Sequence, residues 1–291
     1  MLTKKKKKLE GVELVAHIIL IILSLCILYP MLNVVAVSLS GDTAIMTGKV
    51  TIFPIDITLK SYSYFLDNAM VLRAYGNSIL YTVVGVAYNL GMTALMAYPL
   101  SRKKLMGRSF FMKLVIFTMY FSGGTIPLFM LVDSVGLMNS MWALIIPNSV
   151  WTMQMIICIN GYQAIPDSLY EAAHLDGAGE FTIFTKLALP LSKATLATIG
   201  MQFFMSHWNS YYNPMLYLFD KEKFPLQVVL RSMLMENSEV ISGVLEGGTA
   251  GITPDGVKNA VIVLTMIPVL CVYPFVQKYF VKGALVGSVK G

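Results

Sequence analysis

Residues 166–191, PDSLYEAAHLDGAGEFTIFTKLALPL, decide how the chain is organised. This long stretch lies between apolar runs, lacks an apolar run of its own, and is placed in the cytoplasm by the charge pattern described below. Ser168 and Glu171 have the spacing of a capping box. In such a box the serine oxygen accepts from the Glu171 N–H, and the glutamate accepts from the Ser168 N–H. The spacing therefore predicts a helix that begins at Ser168.

The second half of this stretch predicts a turn and another short helix. Gly177 and Gly179 favour a break, because glycine tolerates the left-handed conformation that ends a helix. A short amphipathic segment, 180–189, follows and ends before Pro190, which restricts the residue ahead of it. The pattern predicts a helix, a glycine turn and a second helix exposed at the membrane surface. A solvated connection between two membrane helices would have a similar composition.

Composition identifies the chain as an integral membrane protein. Of its 291 residues, 56% are hydrophobic and only 13% are charged. A soluble protein of this size carries about a quarter charged residues, so this chain has too few to cover a surface that faces water. The net charge of +6 does not point to nucleic acid, because the lysines and arginines lie near the ends of apolar runs.

Hydropathy and charge predict an all-α polytopic fold in one domain, residues 1–291. Basic residues precede the first span, separate the second from the third, and follow the sixth, so both termini are expected in the cytoplasm. Gly123, Gly124 and Pro127 predict kinks in the third span. The six predicted spans are 13–38, 74–100, 110–132, 141–161, 195–218 and 260–281.

Polar and aromatic side chains in the fourth and fifth spans are candidates for a substrate pathway. Polar groups are costly toward lipid and therefore favour the interior of a helix bundle. Aromatic faces stack on sugar rings, and amides satisfy hydroxyl groups. An aromatic belt combined with hydrogen bonds between helices explains the same residues, and both interpretations stay open. The candidates are Asn148, Trp151, Gln154, Trp208, Asn209 and Tyr212.

Motifs for hydrolytic chemistry are missing from the sequence. It contains no Walker A motif, no zinc-type ligand set and no nucleophile paired with a base. We therefore expect no catalytic residue, no metal and no cofactor in this chain. The energy for any transport would come from another protein.

The stretch at 166–191 resembles the EAA loop of the permeases of ABC importers, and we call it the EAA loop. The family pattern is Glu-Ala-Ala, three residues, Gly, nine residues, Ile, one residue, Leu-Pro. This chain matches it from Glu171 to Pro190 and departs only at Leu187, which replaces isoleucine at similar volume. The Asp-Gly-Ala at 176–178 and the Trp-Asn at 208–209 resemble the carbohydrate branch, including importers of alginate or pectin fragments.

The resemblance implies a MetI-like fold of six transmembrane helices with a cytoplasmic coupling helix in the EAA loop. It implies these partners: a second permease subunit, a dimer of ATPase subunits that hold ATP and Mg²⁺, an extracellular solute-binding protein, and an oligosaccharide substrate. The location would be the cytoplasmic membrane of a bacterium. The residues implied to couple to the ATPase are Glu171, Ala172, Ala173, Asp176, Gly177, Leu189 and Pro190.

Three other functions stay open on the sequence. An ABC permease for amino acids, peptides or phosphate esters would share the EAA loop. An ion-coupled secondary transporter would carry ionisable residues in mid-membrane, whereas the spans here are poor in Asp and Glu. A structural or regulatory membrane protein would have no need of a segment that docks an ATPase.

Overall fold

The computed structural model describes residues 11–235 and 253–288, and within these ranges it contains helices and no strand. The all-helical prediction is confirmed. The lysines at 4–8 that precede the first predicted span, the glycine-rich residues 247–251 and the residues after 288 lie outside the described ranges. The single domain over 1–291 stays a prediction.

Fifteen helices run along the described ranges, together with short 3₁₀ and π segments. The helices are α1 Gly11–Ser38, α2 Asp42–Met46, α3 Lys60–Asp67, α4 Ala69–Ser101, α5 Arg108–Tyr120, α6 Thr125–Ser134, α7 Trp142–Ile145, α8 Thr152–Gln163, α9 Asp167–Leu175, α10 Glu180–Ile183, α11 Leu189–Leu191, α12 Lys193–Trp208, α13 Tyr212–Tyr217, α14 Leu226–Leu234 and α15 Pro254–Ser288.

One compact unit comprises residues 1–68 and 241–266. Within its described part, the chain after α1 is held by side-chain bonds to backbone. Asn33 Nδ2 donates to the Thr51 carbonyl at 2.7 Å, and Asp42 Oδ1 accepts from the Thr253 N–H at 2.7 Å. The most apolar window of α1 has no residue buried within this chain. Its side chains are therefore available to lipid or to another subunit.

The second compact unit comprises residues 69–240 and 267–291. Its centre is α4, which packs along α8 and α12. Ala97, Cys158 and Phe203 from these three helices are fully buried in one cluster. Helices α8 and α12 approach closely at Gly161, where an added Cβ would lie 2.8 Å from the Thr195 side chain. Small residues at such contacts allow helix backbones to approach each other.

Three of the six predicted spans correspond to unbroken helices of spanning length. They are Glu13–Ser38, Ala69–Ser101 and Pro254–Phe275. The predicted boundaries hold within a few residues for the first two. The third helix begins six residues before the predicted span at 260–281. Each is long enough to cross a hydrocarbon core of about 30 Å at 1.5 Å per residue.

The predicted spans 110–132 and 141–161 are not continuous helices, which corrects the sequence prediction. Helices α5 and α6 meet at an angle of 113°. Phe121 is extended and Gly124 has φ +87, so the break is a turn and not the kink predicted from the glycines. The second pair, Trp142–Asn148 and Thr152–Gln163, is bent by 58° next to Pro147. Counting each pair as one span gives five spans in the described residues.

The predicted span 195–218 is also interrupted. Helix α12 ends at Trp208, Asn209 and Tyr211 leave helical geometry, and α13 resumes at Tyr212. Sixteen residues are too few to cross a full bilayer without tilt or thinning. The fifth predicted span, 195–218, therefore stays a prediction, and so does the total of six.

A buried asparagine satisfies the carbonyls that the bend before α8 exposes. Asn89 of α4 is fully buried, and its amide donates to the carbonyls of Asn148 and Ser149, the latter at 2.9 Å. Its Oδ1 lies 2.9 Å from His207 Nε2. Gly85 permits this approach, since a Cβ there would lie 2.7 Å from the His207 ring. Breaks in apolar segments persist only where the freed backbone groups find such partners.

We predict that Asn89→Ala lowers the free energy of unfolding by about 1–3 kcal/mol, because two part-buried carbonyls lose their donor. Thermal unfolding of the detergent-purified chain measures the effect. Asn259→Ala is the matched control, since the Asn259 amide donates to Asp255 in its own helix at an exposed position. Equal melting temperatures for the two variants would contradict the role assigned to Asn89.

Candidate functional site

The EAA loop begins with α9, and the capping-box prediction is wrong. The helix begins at Asp167, with Pro166 as its N-cap and no side-chain cap. Pro166 fixes its own φ at −56° and leaves Asp167 as the first helical residue. The Asp167 carboxylate suits the positive end of the helix dipole and lies 3.6 Å from Lys103 Nζ. Ser168 is already inside the first turn, so it does not cap the helix.

The glycine turn and the second helix follow as the sequence predicts, but Pro190 does not end the helix. Gly177 has φ +79, and α10 begins at Glu180. The chain continues as a π segment, Phe184–Ala188, and then as α11 through Pro190 to Leu191. Proline removes one donor from the helical ladder, and widening to π geometry is a common local adjustment. The boundary therefore lies at Ser192.

Tyr170 fastens α9 to the apolar helices. Its side chain is 1% exposed, and its hydroxyl donates to the Tyr162 carbonyl at 3.3 Å. The Arg102 guanidinium lies 3.5 Å from the centre of the Tyr170 ring, a cation–π contact. Burial raises the pKa of the Tyr170 hydroxyl above its ordinary value of 10.0, so it donates throughout the neutral range.

The rest of the α9 surface is exposed, and Glu171 lies on the part of it that lines a cleft toward the end of α4. Glu171 and Ala172 are open to solvent, and Leu175 is 89% exposed. Among the described residues, no ion pair involves Glu171. The helix therefore presents a carboxylate, a small residue and an apolar side chain to an outside partner.

The other predicted coupling residues divide between surface and core. Asp176 and Pro190 are exposed, whereas Ala173 and Leu189 are half-buried and pack on the core of this chain. Small size at Ala173 therefore serves contact within the subunit. Gly177 is exposed and forms the turn. The assignment of all seven residues to ATPase coupling stays a prediction.

A cleft of about 710 Å³ opens between α9 and the end of α4, beside the contacts that join them. Glu180 lies in its wall and contacts both sides. The Tyr98 hydroxyl donates to Glu180 Oε2 at 2.8 Å, and His174 Nε2 lies 3.5 Å from Glu180 Oε1. The basic residues Arg102, Lys103 and Lys104 line the α4 side. Among the described residues, no group of three or more His, Cys, Asp or Glu side chains could hold a metal ion.

Three of the candidate pathway residues lie on or beside α8. Gln154 Nε2 donates to Gln202 Oε1 of α12 at 3.1 Å, and this contact is exposed. The Trp151 ring packs edge-on against Phe203 at 5.4 Å. The Asn148 carbonyl accepts from Asn89, as described above. The structure thus places Gln154 where an amide pair faces the outside of this chain.

The three candidates at the end of α12 lie in different environments. Trp208 is 2% exposed, with Tyr75 edge-on at 5.9 Å and Phe204 stacked at 6.3 Å. Asn209 Nδ2 donates to the Met205 carbonyl and is exposed. Tyr212 is 56% exposed. Asn209 and Tyr212 are therefore accessible from outside the chain, while the Trp208 ring packs against neighbouring side chains.

Sequence reasoning missed Asn89, Tyr98, Tyr170 and Glu180. Asn89 could have been identified from the sequence, because it is a polar residue inside an apolar span. A second such residue was Tyr170, which precedes Glu171 directly and occupies the buried side of the same helix. Tyr98 and Glu180 are 82 residues apart, and no local pattern pairs them.

We predict that Gly177→Ala destabilises the EAA loop by about 1–2 kcal/mol, because an L residue is strained at positive φ. Gly179→Ala is the matched control. Neither glycine has an atom within 4 Å of an added Cβ, but Gly179 has φ −72. Hydrogen exchange of the loop amides measures the difference. Faster exchange in both variants or in neither would contradict the argument from φ.

Comparison with known proteins places the chain in a family. Residues 90–286, which include the whole EAA pattern, match the model described as "Binding-protein-dependent transport system inner membrane component".

The chain is 42% identical over 268 residues to the polygalacturonan/rhamnogalacturonan transport system permease protein YtcP of Bacillus subtilis (strain 168), covering 92% of this chain and 93% of the relative. It is 40% identical over 262 residues to Protein LplC of the same organism, covering 90% and 89%. It also resembles a solved bacterial ABC transporter involved in the import of the acidic polysaccharide alginate, with a TM-score of 0.87, 34% identity, and coverage of 96% of this chain and 100% of that one. The chain therefore belongs to the family of binding-protein-dependent transport system inner membrane components, the permeases of ABC importers, and is a multi-pass membrane protein.

Proposed function

We propose that this chain is a permease subunit of an ATP-driven importer that passes a carbohydrate from an extracellular solute-binding protein across the cytoplasmic membrane of a bacterium. The observation that carries the proposal is the construction of α9. Tyr170 holds one side of the helix in the core, while Glu171, Ala172 and Leu175 face outward. A helix fixed on one side and open on the other suits transmission of force from a docked partner.

ATP hydrolysis would take place in a separate pair of ATPase subunits, which bind ATP and Mg²⁺. We propose that α9 is the coupling helix and docks in a cleft of one ATPase subunit, with Glu171 meeting a basic side chain or backbone amides there. Closure of the ATPase dimer would then move the EAA loop, and a rigid-body change would follow in the attached helices. In this proposal, the EAA loop and both termini lie in the cytoplasm.

A second permease subunit would complete the pathway. Helix α1 and helices α5 and α6 expose large apolar side chains, and lipid and that second subunit are the surfaces that would cover them. Six transmembrane helices would result when α12 and α13 act together as the fifth span.

We propose that the substrate is an oligosaccharide released from an acidic polysaccharide. The support is that a relative at 42% identity is named for polygalacturonan and rhamnogalacturonan, and that the solved neighbour is described as importing alginate. Asn209 and Tyr212 offer an exposed amide and an exposed aromatic face to such a sugar.

Purification of the chain from detergent-solubilised membranes, followed by protein identification, tests the assembly. We expect a second permease, an ATPase with a P-loop and a solute-binding protein. The purified assembly in proteoliposomes should take up short oligogalacturonates in preference to neutral malto-oligosaccharides. Recovery of the chain alone from several mild detergents would overturn the proposal. Preference for neutral sugars would overturn only the acidic substrate.

We predict that Glu171→Lys leaves the chain in the membrane but abolishes ATP hydrolysis stimulated by the loaded binding protein, because the substitution reverses the exposed charge on α9. Glu13→Lys is the control, since Glu13 is an exposed acidic residue at the start of α1. Stimulated hydrolysis measured on the reconstituted complex separates the two. Normal stimulation in Glu171→Lys would refute the docking role of α9.

A further inference from the structure

Glu180 joins both helices of the EAA loop to a span that is distant in sequence. It is the first residue of α10, and its two carboxylate oxygens face different elements. Oε2 accepts from the Tyr98 hydroxyl of α4 at 2.8 Å, and Oε1 lies 3.5 Å from His174 Nε2 of α9. One carboxylate therefore contacts three helices, α4, α9 and α10.

The Tyr98 hydroxyl occupies a fixed position. Tyr98 lies in the last turn of α4 and is 7% exposed. Its ring packs edge-on against Tyr162 at 5.9 Å and in a tilted arrangement against Phe184 at 5.1 Å. Because these contacts hold the ring in place, we expect a displacement of Glu180 to act on α4.

Two further contacts join α9 to Arg102 and Lys103, the residues that directly follow α4. Arg102 stacks on Tyr170, and Lys103 lies 3.6 Å from Asp167. The contacts of Lys103 with Asp167 and of His174 with Glu180 are both exposed, and each is worth little by itself. The contacts of Tyr98 and Arg102 involve the buried rings of Tyr98 and Tyr170. The end of α4 thus contacts both helices of the EAA loop.

We propose that α4 receives the movement of the coupling helix directly, through Glu180 as a positioning residue. The helices that flank the EAA loop in sequence are α8 and α12, so connectivity alone would send the movement there. Without Glu180, the shared core and the Arg102 contact would still hold α9, but the first turn of α10 would lose its hydrogen bond to α4. With Glu180, displacement of α9 reaches α4 through His174, Glu180 and Tyr98. This inference rests on the proposed function.

The test uses the complete importer in proteoliposomes, supplied with loaded binding protein and oligogalacturonate. Uptake and ATP hydrolysis are measured together, and their ratio is the readout. We expect Tyr98→Phe and Glu180→Leu to assemble and to hydrolyse ATP on stimulation. Each should raise the ATP consumed per sugar by roughly tenfold, because each removes one hydrogen bond to a charged group. Tyr120→Phe is the control, because Tyr120 is 77% exposed on α5.

A double-mutant cycle separates this link from a general structural effect. When the two residues act through their shared hydrogen bond, the double variant should be no worse than the poorer single variant. Glu180→Gln retains an acceptor for Tyr98 and should restore most of the coupling. Should Glu180→Leu fail to assemble, Glu180→Ala takes its place in the cycle, because it also removes the acceptor for Tyr98.

The outcomes that overturn the inference are specific. A normal ratio in Tyr98→Phe, or effects of the two substitutions that multiply, would show that α4 does not receive the movement through Glu180. Failure of the wild-type importer to take up any oligosaccharide would instead overturn the proposed function. The wild-type measurement therefore distinguishes the two failures.

Discussion

The rest of the structure depends on one core that the EAA loop shares with the apolar helices. Tyr170, Ile183 and Phe184 of the loop are buried in the same cluster as Cys158 of α8 and Phe203 of α12. Closely packed cores resist small displacements of single side chains. The loop is therefore not a free connection between two spans, because moving it requires its supporting helices to move as well. That constraint turns a surface segment into a part that can transmit force.

Satisfaction of the backbone is the second constraint. Three of the predicted spans, 110–132, 141–161 and 195–218, are interrupted, and each break frees backbone groups in an apolar setting. Asn89 donates to two such carbonyls and meets His207 from α12, so one side chain holds the bend before α8 and joins three helices. Polar residues in these segments consequently serve the fold, and the same groups remain available for a substrate pathway where they are exposed, as at Gln154.

The features of the site that could be predicted from the sequence depend on residues close together in the chain. The spacing from Glu171 to Pro190 identified the family, and the glycines identified the turn, because a positive φ favours glycine whatever surrounds it. The capping box failed since Pro166 set the start of α9 one residue before Ser168. The predicted boundary at Pro190 is wrong, because a π segment precedes the proline and the helix continues through it to Leu191. Both errors arose where two local signals competed within a few residues.

The sequence by itself determined the membrane character, the helical class and the exposed EAA segment, because apolar length, charge bias and fixed spacing are properties of contiguous residues. The tertiary structure decided which side of α9 is buried, where the apolar segments break, and which residues meet across the fold. Tyr98 and Glu180 are 82 residues apart, and Asn89 and His207 are 118 apart. Such pairs form only when several helices pack together, and the free energy that selects them comes from that packing and not from neighbours in the chain.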